Sequence, residues 1–318
     1  MRVCLCVCLT LACAAAATQE KPEIVKKGTV ACDLVEASPI VWQDRLYRFE
    51  YVRDRYKHNA LGKPYFRFVD YETGEATPPF AEGYHLGSAY TEDGVMYVYG
   101  VREWGEGVVR VFWSKDLKTW KMRDALELPD GWTIYNNSVC KDDKGYLMAV
   151  EIGAPPEIVG HRFTIYFARS ENLLDWQREP LACVFTKERY SACPTIRYLD
   201  GWYYMVYLER LEPWYFAPQW VRSKDLRDWE LSPVNPMMQP GPADKKIANP
   251  ALTAEERTRI EEAKNINNSD VDFCEFAGEV LISYSWGNQR GVEFLAEAVF
   301  EGTEAEFLRG WFPAAEDR

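Results

Sequence analysis

Carboxyl side chains end four of the apolar, strand-forming runs in this sequence. These residues are Glu50, Glu103, Glu151 and Glu209. A carboxylate at the end of a run rich in Tyr, Val and Met is costly to bury without a partner. The sequence therefore indicates either ion pairs or a site that uses acidic groups. The ion-pair alternative has arginines close by in sequence: Arg53, Arg102 and Arg210.

Asp270 and Asp272 lie two residues apart in another strand-like segment, so we expect their side chains to face the same way. Two adjacent carboxyl groups raise each other's pKa unless they are hydrogen-bonded. Cleavage of a glycosidic bond requires an acid for the leaving oxygen and a second carboxyl group as base or nucleophile. We expect the aspartate pair to fill one role and Glu151 or Glu209 to fill the other.

Polar side chains also begin the strand-like runs that precede these acids. They are Glu36, His85, Asn136, Asn137, Ser191 and Asn268. His85 is the only histidine at such a position, and a buried structural histidine is the alternative interpretation. The flanking residues that could stack on a sugar ring or hydrogen-bond to it are Trp104, Tyr135, Arg210, Trp214, Tyr215, Trp286, Asn288 and Gln289.

A repeated seven-residue phrase, S-x-[DN]-L-x-x-W, organises the strands that carry these residues. It occurs at 114–120, 170–176 and 223–229, a spacing of roughly 55 residues that is typical of repeat folds. Ser and Asp or Asn side chains tighten turns by bonding nearby backbone N–H groups. The Trp at the end of each phrase covers apolar area, so Trp120, Trp176 and Trp229 are predicted to pack between sheets.

Five strand–turn–strand units accompany the phrase and begin near 36, 85, 136, 191 and 268. A four-stranded antiparallel sheet repeated five times predicts an all-β fold, a five-bladed β-propeller over 36–312. Residues 18–35 are expected to be a lead-in, 300–312 a degenerate outer hairpin and 313–318 a tail. A β-sandwich is the alternative, but it gives no reason for the repeat.

One segment, 232–266, interrupts the pattern. It is rich in proline and continues with a capping-box sequence at Thr253–Glu256, which predicts a helix to about Lys264. We expect an insertion before the last unit, on the upper face of the propeller. It is interpreted either as a lid or pocket wall or as a surface decoration.

The first 17 residues have one arginine, a 15-residue apolar run and small residues at the end, which predicts a secretory signal. The mature protein is therefore expected to be secreted or periplasmic, with lipidation at Cys13 as the minor alternative. The five remaining cysteines have no C-x-x-C spacing and do not indicate a zinc site or a disulfide framework. A bridge between Cys183 and Cys193 stays open.

The net charge of −12, from 37 basic and 49 acidic residues, argues against nucleic acid as a partner. It also argues against docking on an anionic membrane surface, and no later segment is predicted to span a membrane. Only 3 histidines leave little material for a histidine-rich metal site. No cofactor is expected, a structural calcium ion is possible, and the sequence does not indicate an oligomeric state.

The five units with their S-x-[DN]-L-x-x-W phrases resemble the five-bladed propeller glycoside hydrolases of families 43, 32, 62 and 117 and the phosphorylases of family 130. The resemblance spans about 36–312. It implies a funnel at one end of the propeller that binds a carbohydrate, and by likeness to family 117 it implies an acid role for His85. The Asp-Pro and Asn-Asp-Pro-Asn openings of families 43 and 32 are absent, so their catalytic residues are not transferred.

The resemblance leads us to expect a glycosidase. A glycan-binding propeller without activity is one alternative. A phosphorylase or lyase on the same scaffold is another, for which Lys245, Lys246 and Arg210 are the nearest candidates for a phosphate cradle. The Gly of the sialidase phrase S-x-D-x-G-x-x-W is missing here, which discounts a six-bladed sialidase.

Overall fold

The computed structural model describes residues 19–53, 63–212 and 215–313, and these residues form mostly antiparallel β-structure. Two strands precede or begin the first unit: β1 (Val25–Cys32) and β2 (Ser38–Trp42). Group 1 consists of β2 with β3 (Arg45–Val52) and β4 (Tyr65–Asp70). Group 2 consists of β5 (His85–Glu92), β6 (Val95–Val101), β7 (Val108–Ser114) and β8 (Lys121–Glu127).

The remaining strands make three further groups. Group 3 consists of β9 (Thr133–Asp142), β10 (Gly145–Ala154), β11 (Thr164–Ser170) and β12 (Gln177–Arg178). Group 4 consists of β13 (Ser191–Leu199), β14 (Trp202–Glu212), β15 (Tyr215–Ser223) and β16 (Glu230–Leu231). Group 5 consists of β17 (Asn267–Phe276), β18 (Glu279–Gly287) and β19 (Glu293–Glu301), followed by β1.

The first strands of the five groups contact one another in order. β2 contacts β5, β5 contacts β9, β9 contacts β13, β13 contacts β17, and β17 contacts β2. A single parallel pairing, Phe216 with Asn267, also joins groups 4 and 5 into one sheet. Several four-stranded antiparallel sheets arranged in this way are consistent with the predicted propeller.

The outer strand of group 5 comes from the opposite end of the chain. β1 pairs antiparallel with β19, from Val25 opposite Val299 to Cys32 opposite Phe294. The segment 18–35, expected as a lead-in, therefore supplies a strand of the last group. The expected outer hairpin at 300–312 instead contains a helix, α3 (Glu304–Arg309), which Thr303 caps through a capping box.

Each S-x-[DN]-L-x-x-W phrase forms the same turn. In the first, the Ser114 hydroxyl accepts from the N–H groups of Asp116 and Leu117, and Asp116 Oδ1 accepts from those of Lys118 and Thr119. The second and third phrases repeat these bonds. The central leucine has a positive φ and is buried in all three: Leu117, Leu173 and Leu226.

The tryptophans that end the phrases pack against neighbouring aromatic rings, as predicted. Trp120 stacks on Phe80 with ring centroids 3.8 Å apart, and Trp229 stacks on Phe167 at 5.8 Å. Trp176 meets Tyr99 edge-on at 5.7 Å. Aromatic pairs of this kind add to the stabilisation from buried area, which explains where much of the aromatic content lies.

Two other helices are α1 (Pro156–Val159) and α2 (Ala254–Glu262). Thr253 caps α2 through the predicted capping box, so the helix prediction for the insertion is confirmed. α2 is tied to β1 by an Arg259–Asp33 ion pair at 2.8 Å. Short 3₁₀ turns lie at Leu181–Cys183 and Pro242–Lys245.

The insertion is anchored through one buried carboxylate, Asp244. Its oxygens lie 2.6 Å from Lys26 Nζ on β1 and 2.7 Å from the Tyr284 hydroxyl on β18. Asn265 Nδ2 donates to it at 2.7 Å. These contacts attach the insertion to β1 and β18 of group 5. The insertion is therefore better described as a surface decoration than as a lid.

The cysteines in the described ranges are free, so Cys183 and Cys193 are not bridged. Cys140 and Cys183 are buried among apolar side chains, as expected of small hydrophobes. Among the described residues, no helix is long and apolar enough to cross a membrane. The predicted signal at 1–17, including Cys13, lies outside the described residues.

Candidate functional site

A cavity of about 40 Å³ lies where the first strands of the five groups begin. Every group contributes to its wall, and its polar lining includes Glu36, Ser88, Asn136, Asn137, Thr195 and Asp270. The sequence predicted that strand starts would converge, and Glu36, Asn136, Asn137 and Asp270 do so. The residues that line it belong to neither the insertion nor α1.

Irregular backbone directs side chains into this cavity. Four residues at the strand starts have positive φ values although none is glycine: Glu36 (54°), Leu86 (53°), Cys193 (47°) and Asp270 (51°). In β5, β13 and β17 the same residues lie within register shifts of the ladder. Such conformations cost about 1–3 kcal/mol each and cluster at functional sites, where bulges re-aim side chains.

Glu151, near the end of β10, is buried against the start of β13. Its Oε2 accepts from Asn136 Nδ2 at 2.9 Å and from the Cys193 N–H at 2.8 Å. Burial raises the pKa of Glu151 to about 7, and the nearby charge of Asp270 adds to the effect. This carboxyl group therefore holds and releases a proton near neutral pH, which suits an acid catalyst.

Glu36 lies beside Arg53, with 3.4 Å between Oε2 and the guanidinium. Burial raises the pKa of Glu36 to about 8 although Arg53 opposes the shift. The charges of Asp270 and Glu151 raise it further, so these three carboxyl groups share one electrostatic environment. Glu36, proposed from the sequence as a substrate contact, is thus a neutral hydrogen-bond donor around pH 7.

His85 borders this cluster and is buried. Its Nδ1 lies 2.6 Å from the Tyr51 hydroxyl, and its ring meets Trp104 edge-on at 6.2 Å. Burial lowers the pKa of His85, and the charge of Arg53 lowers it further. Burial also raises the pKa of Tyr51, which keeps its hydroxyl protonated. A neutral imidazole at this position can orient a substrate but is a poor source of a proton.

Asp270 is the acidic group of β17 that faces the other carboxyls. Its Oδ2 accepts from the Ser269 hydroxyl at 2.9 Å. A fourth acid, Glu293, was not predicted from the sequence; it begins β19 and is 1% exposed. Burial raises the pKa of Glu293 to about 8, with a contribution from Asp270. The position of Glu293 in the sequence could have indicated this, because the third strand of an antiparallel sheet begins at the same end as the first strand.

Asp272 lines the same cavity as Asp270, as expected, but its partners are different. The register shift between Ser269 and Asp272 and the positive φ of Asp270 break the alternation of side chains. Asp272 instead pairs with Arg197 at 2.9 Å and accepts from the Phe273 N–H. It lies between the cavity and a second opening lined by Arg197 and Glu304.

The acids at the ends of second strands do not occupy one common position. Glu50 is paired with Arg48 and Arg67, as the ion-pair alternative holds. Glu209 accepts from Tyr207 at 2.7 Å and lies 3.8 Å from Arg189, so it is held by an ion pair. Glu103 is exposed in the loop after β6. Glu151 is the one of the four that reaches the carboxyl cluster.

The aromatic candidates divide into rim and interior residues. Trp104 is 43% exposed and contacts Tyr135 edge-on at 5.8 Å. Tyr215 is partly exposed at the start of β15. Trp286 is 0% exposed, stacks on Phe294 and donates to Thr29, so it is a core residue and its assignment to the rim is corrected. Trp214 lies outside the described residues.

The remaining polar candidates are distributed around the site. Asn268 is corrected, because it is buried and pairs with Lys26 and Asp244 beneath the insertion. Asn137 accepts from Ser88 within the cavity wall, and Gln289 Nε2 reaches Ser269 at 3.4 Å. The others lie in nearby loops or strand starts: Asn288 caps a turn, Arg210 lies over Tyr190, and Ser191 is buried.

No group of three or more His, Cys, Asp or Glu side chains within the described ranges could hold a metal ion. Amide, hydroxyl and guanidinium groups separate the four clustered carboxyls, and three of these acids carry raised pKa values. A raised pKa suits a carboxyl group to proton transfer and to hydrogen-bond donation near neutral pH.

The raised pKa values predict how stability changes with pH. Glu36, Glu151 and Glu293 bind protons more tightly in the folded state than at their ordinary pKa of 4.5. Their contribution to stability is fully present below about pH 4.5 and is lost as pH rises through about 7 to 8. His85 opposes this trend, because its pKa is lowered from 6.5.

We therefore expect the Tm to fall less steeply between about pH 5 and pH 8.5 in Glu36→Gln than in the wild type. Melting curves across this range measure the difference, and Glu209→Gln serves as the control that keeps the wild-type slope. Equal slopes in the wild type and Glu36→Gln would contradict a raised pKa for Glu36.

Comparison with solved structures relates this arrangement to known proteins. A structure described as a glycoside hydrolase shares 16% identity over 93% of this chain and 96% of its own, with a TM-score of 0.62. The endo-arabinase from Bacteroides thetaiotaomicron shares 13% over 89% and 97%, with a TM-score of 0.56. The GH32 β-fructofuranosidase BmSUC1 of Bombyx mori shares 10% over 86% and 61%, with a TM-score of 0.56.

These matches include five-bladed β-propeller glycoside hydrolases, so the resemblance predicted from the repeated phrase is confirmed. At 10–16% identity the likeness is one of fold. No protein-family model and no curated protein matches the sequence. Any activity must therefore be argued from the carboxyl cluster itself.

Proposed function

We propose that this protein is an exported glycoside hydrolase with a closed five-bladed propeller, and that it cleaves an oligo- or polysaccharide by carboxyl acid/base catalysis. One observation carries the proposal: Glu36 and Asp270 line the cavity formed by the strand starts, and the buried carboxyl groups of Glu151 and Glu293 share their electrostatic environment. Glycosidases require one carboxyl group that is protonated near neutral pH and another that is ionised. Export rests on the signal pattern at 1–17.

Glu151 is the proposed general acid. The Asn136 and Cys193 donors both reach Oε2, which leaves Oε1 to carry the proton. A pKa of about 7 lets this group protonate the leaving glycosidic oxygen and be reprotonated in the next cycle.

Asp270 is the proposed base or nucleophile. The Ser269 hydroxyl occupies Oδ2 and leaves Oδ1 for the reacting water or sugar carbon. Its positive φ shows that local structure holds it in an unfavourable conformation, which is common for reacting groups. Glu36 and His85 remain as groups that bind sugar hydroxyls. Trp104 is the exposed aromatic residue nearby, and Tyr135, expected from the sequence at the rim, is buried beneath it.

The test is incubation of the purified mature protein with a panel of aryl arabinofuranosides, xylosides and fructosides and with the matching polysaccharides. Arabinose- and fructose-containing substrates are included because the structural neighbours are named for them. Release of free sugar without added phosphate supports a hydrolase, and release that requires phosphate supports a phosphorylase. Binding without product from any substrate would favour a glycan-binding protein and overturn the proposal.

A further inference from the structure

Asp270 belongs to a hydrogen-bonded chain that runs from the cavity into group 5. The Ser269 hydroxyl donates to Asp270 Oδ2 at 2.9 Å and accepts from Asn267 Nδ2 at 3.1 Å. The Asn267 side chain opposes the rise in the pKa of Glu293, which indicates that the two side chains lie together, and the Glu293 carboxyl group accepts from the Gln289 N–H. Asn267, Ser269 and Glu293 are 0%, 1% and 1% exposed, so water has little access to the chain.

We propose that Glu293 is a positioning residue that holds Asp270 in its reactive orientation through Asn267 and Ser269. The inference rests on the proposed function, since it assigns Asp270 a reacting role. Asp270 needs such support because a non-glycine residue at φ 51° persists only where its surroundings enforce it. The Ser269 hydrogen bond has a single direction, because the hydroxyl proton is donated to the carboxylate.

The residues packed around Glu293 leave room for a carboxyl group and contact it closely. Gly287 lies directly against it, and a Cβ at that position would come within 2.7 Å of Glu293 Oε2. Glu293 Oε2 and Asn267 Oδ1 are both buried, and neither accepts a hydrogen bond from the described residues. A proton on Glu293 supplies the donor that this pair of acceptors lacks.

The charged groups around Glu293 also favour the protonated form of its carboxyl group. Asp270 on β17 is the charged group that faces it, and the loop 287–292 presents backbone N–H groups of Asn288 and Gln289. Two adjacent ionised carboxylates in a buried site repel each other, which favours a proton on Glu293. Burial raises the pKa of Glu293 to about 8, in the same direction.

The hydrogen bond from Ser269 to Asp270 can be tested against a matched control on the neighbouring strand. Ser285 lies opposite Ser269 in the β17–β18 ladder, is also buried, and its hydroxyl has no hydrogen-bond partner in the described residues. Ser269→Ala should lower kcat roughly ten- to hundredfold with little change in KM, because a hydrogen bond to a charged group is lost. Ser285→Ala should keep wild-type kcat.

Glu293 is tested with two substitutions. Glu293→Gln keeps the shape and a donor, so its kcat should stay within about threefold of the wild type, whereas Glu293→Leu should lose activity as Ser269→Ala does. The acidic limb of the kcat/KM profile should move to higher pH in Ser269→Ala and in Glu293→Leu. Equal loss in Glu293→Gln and Glu293→Leu at unchanged Tm would make Glu293 a reacting group and overturn the proposal.

A second measurement does not depend on turnover. Carboxyl-carbon NMR of the full chain should show the Asp270 titration moved to higher pH in Ser269→Ala and unmoved in Ser285→Ala. An unmoved signal in Ser269→Ala overturns the positioning role even if the enzyme is active. A protein that hydrolyses no glycoside but shows the shift would refute the proposed function and retain the hydrogen-bonded chain.

Discussion

Asp270→Asn is expected to lower kcat by roughly 10²- to 10⁴-fold while the Tm changes little, because an amide cannot accept a proton or attack a sugar carbon. Asn keeps the size of the side chain and can still accept from the Ser269 hydroxyl. Initial rates on the substrate found in the panel, together with melting curves, measure both quantities. The loss should appear in kcat rather than KM, because the carboxylate is needed in the transition state.

Asp272→Asn is the matched control, since it removes a carboxylate two residues away on the same strand. Asp272 pairs with Arg197, which also lies 3.5 Å from Glu304. We expect a loss of stability of about 1–2 kcal/mol from the weakened ion pair and a kcat within about tenfold of the wild type. If Asp272→Asn is the inactive variant and Asp270→Asn is active, the assignment of the reacting aspartate is reversed.

Glu151→Gln is expected to have the second large effect, again roughly 10²- to 10⁴-fold in kcat, because the leaving oxygen loses its proton donor. The size of the loss depends on the substrate. A nitrophenyl leaving group needs little protonation, so its glycosides should be hydrolysed far better by this variant than natural oligosaccharides. Comparison of the two substrate types therefore separates an acid from a residue that only binds.

The pH profile gives a second test of Glu151. An acid catalyst works in its protonated form, so activity should fall as pH rises through the pKa of about 7. Glu151→Gln should lose this alkaline limb. Glu209→Gln, which removes a carboxyl group that pairs with Tyr207 and Arg189, should keep both the rate and the limb. An unchanged alkaline limb in Glu151→Gln would show that another group is the acid.

The repeat was the most informative feature of the sequence for the fold. Three copies of one phrase predict three copies of one turn, because the Ser and Asp or Asn side chains bond backbone groups within a few residues. Local chemistry of this kind does not depend on the rest of the chain. The pairing of β1 with β19 could not be predicted in the same way, because it joins residues more than 260 positions apart.

The site was predicted only where regular strand geometry holds. Glu36 and Asn136 line the cavity from the expected strand starts, and Glu151 accepts a hydrogen bond from Asn136. Asp270 and Asp272 both line the cavity, but the register shift between Ser269 and Asp272 could not be predicted, and the two aspartates have different partners. Trp286 and Asn268 look like surface residues by type but are buried by the packing of β1 and the insertion. Glu293 does not follow from the starts of first strands or the ends of second strands, because it begins a third strand.

The position of β1 has a consequence for how the chain folds. β1 is synthesised before β19, which is its antiparallel partner. Until β19 has been made, the backbone of β1 is free to pair with other strands. Lys26 and Lys27 lie on this strand, and charged lysines on an open edge discourage association with other chains. Once β1 has paired with β19, group 5 unfolds only when two segments more than 260 residues apart separate. We expect this pairing to slow the unfolding of group 5.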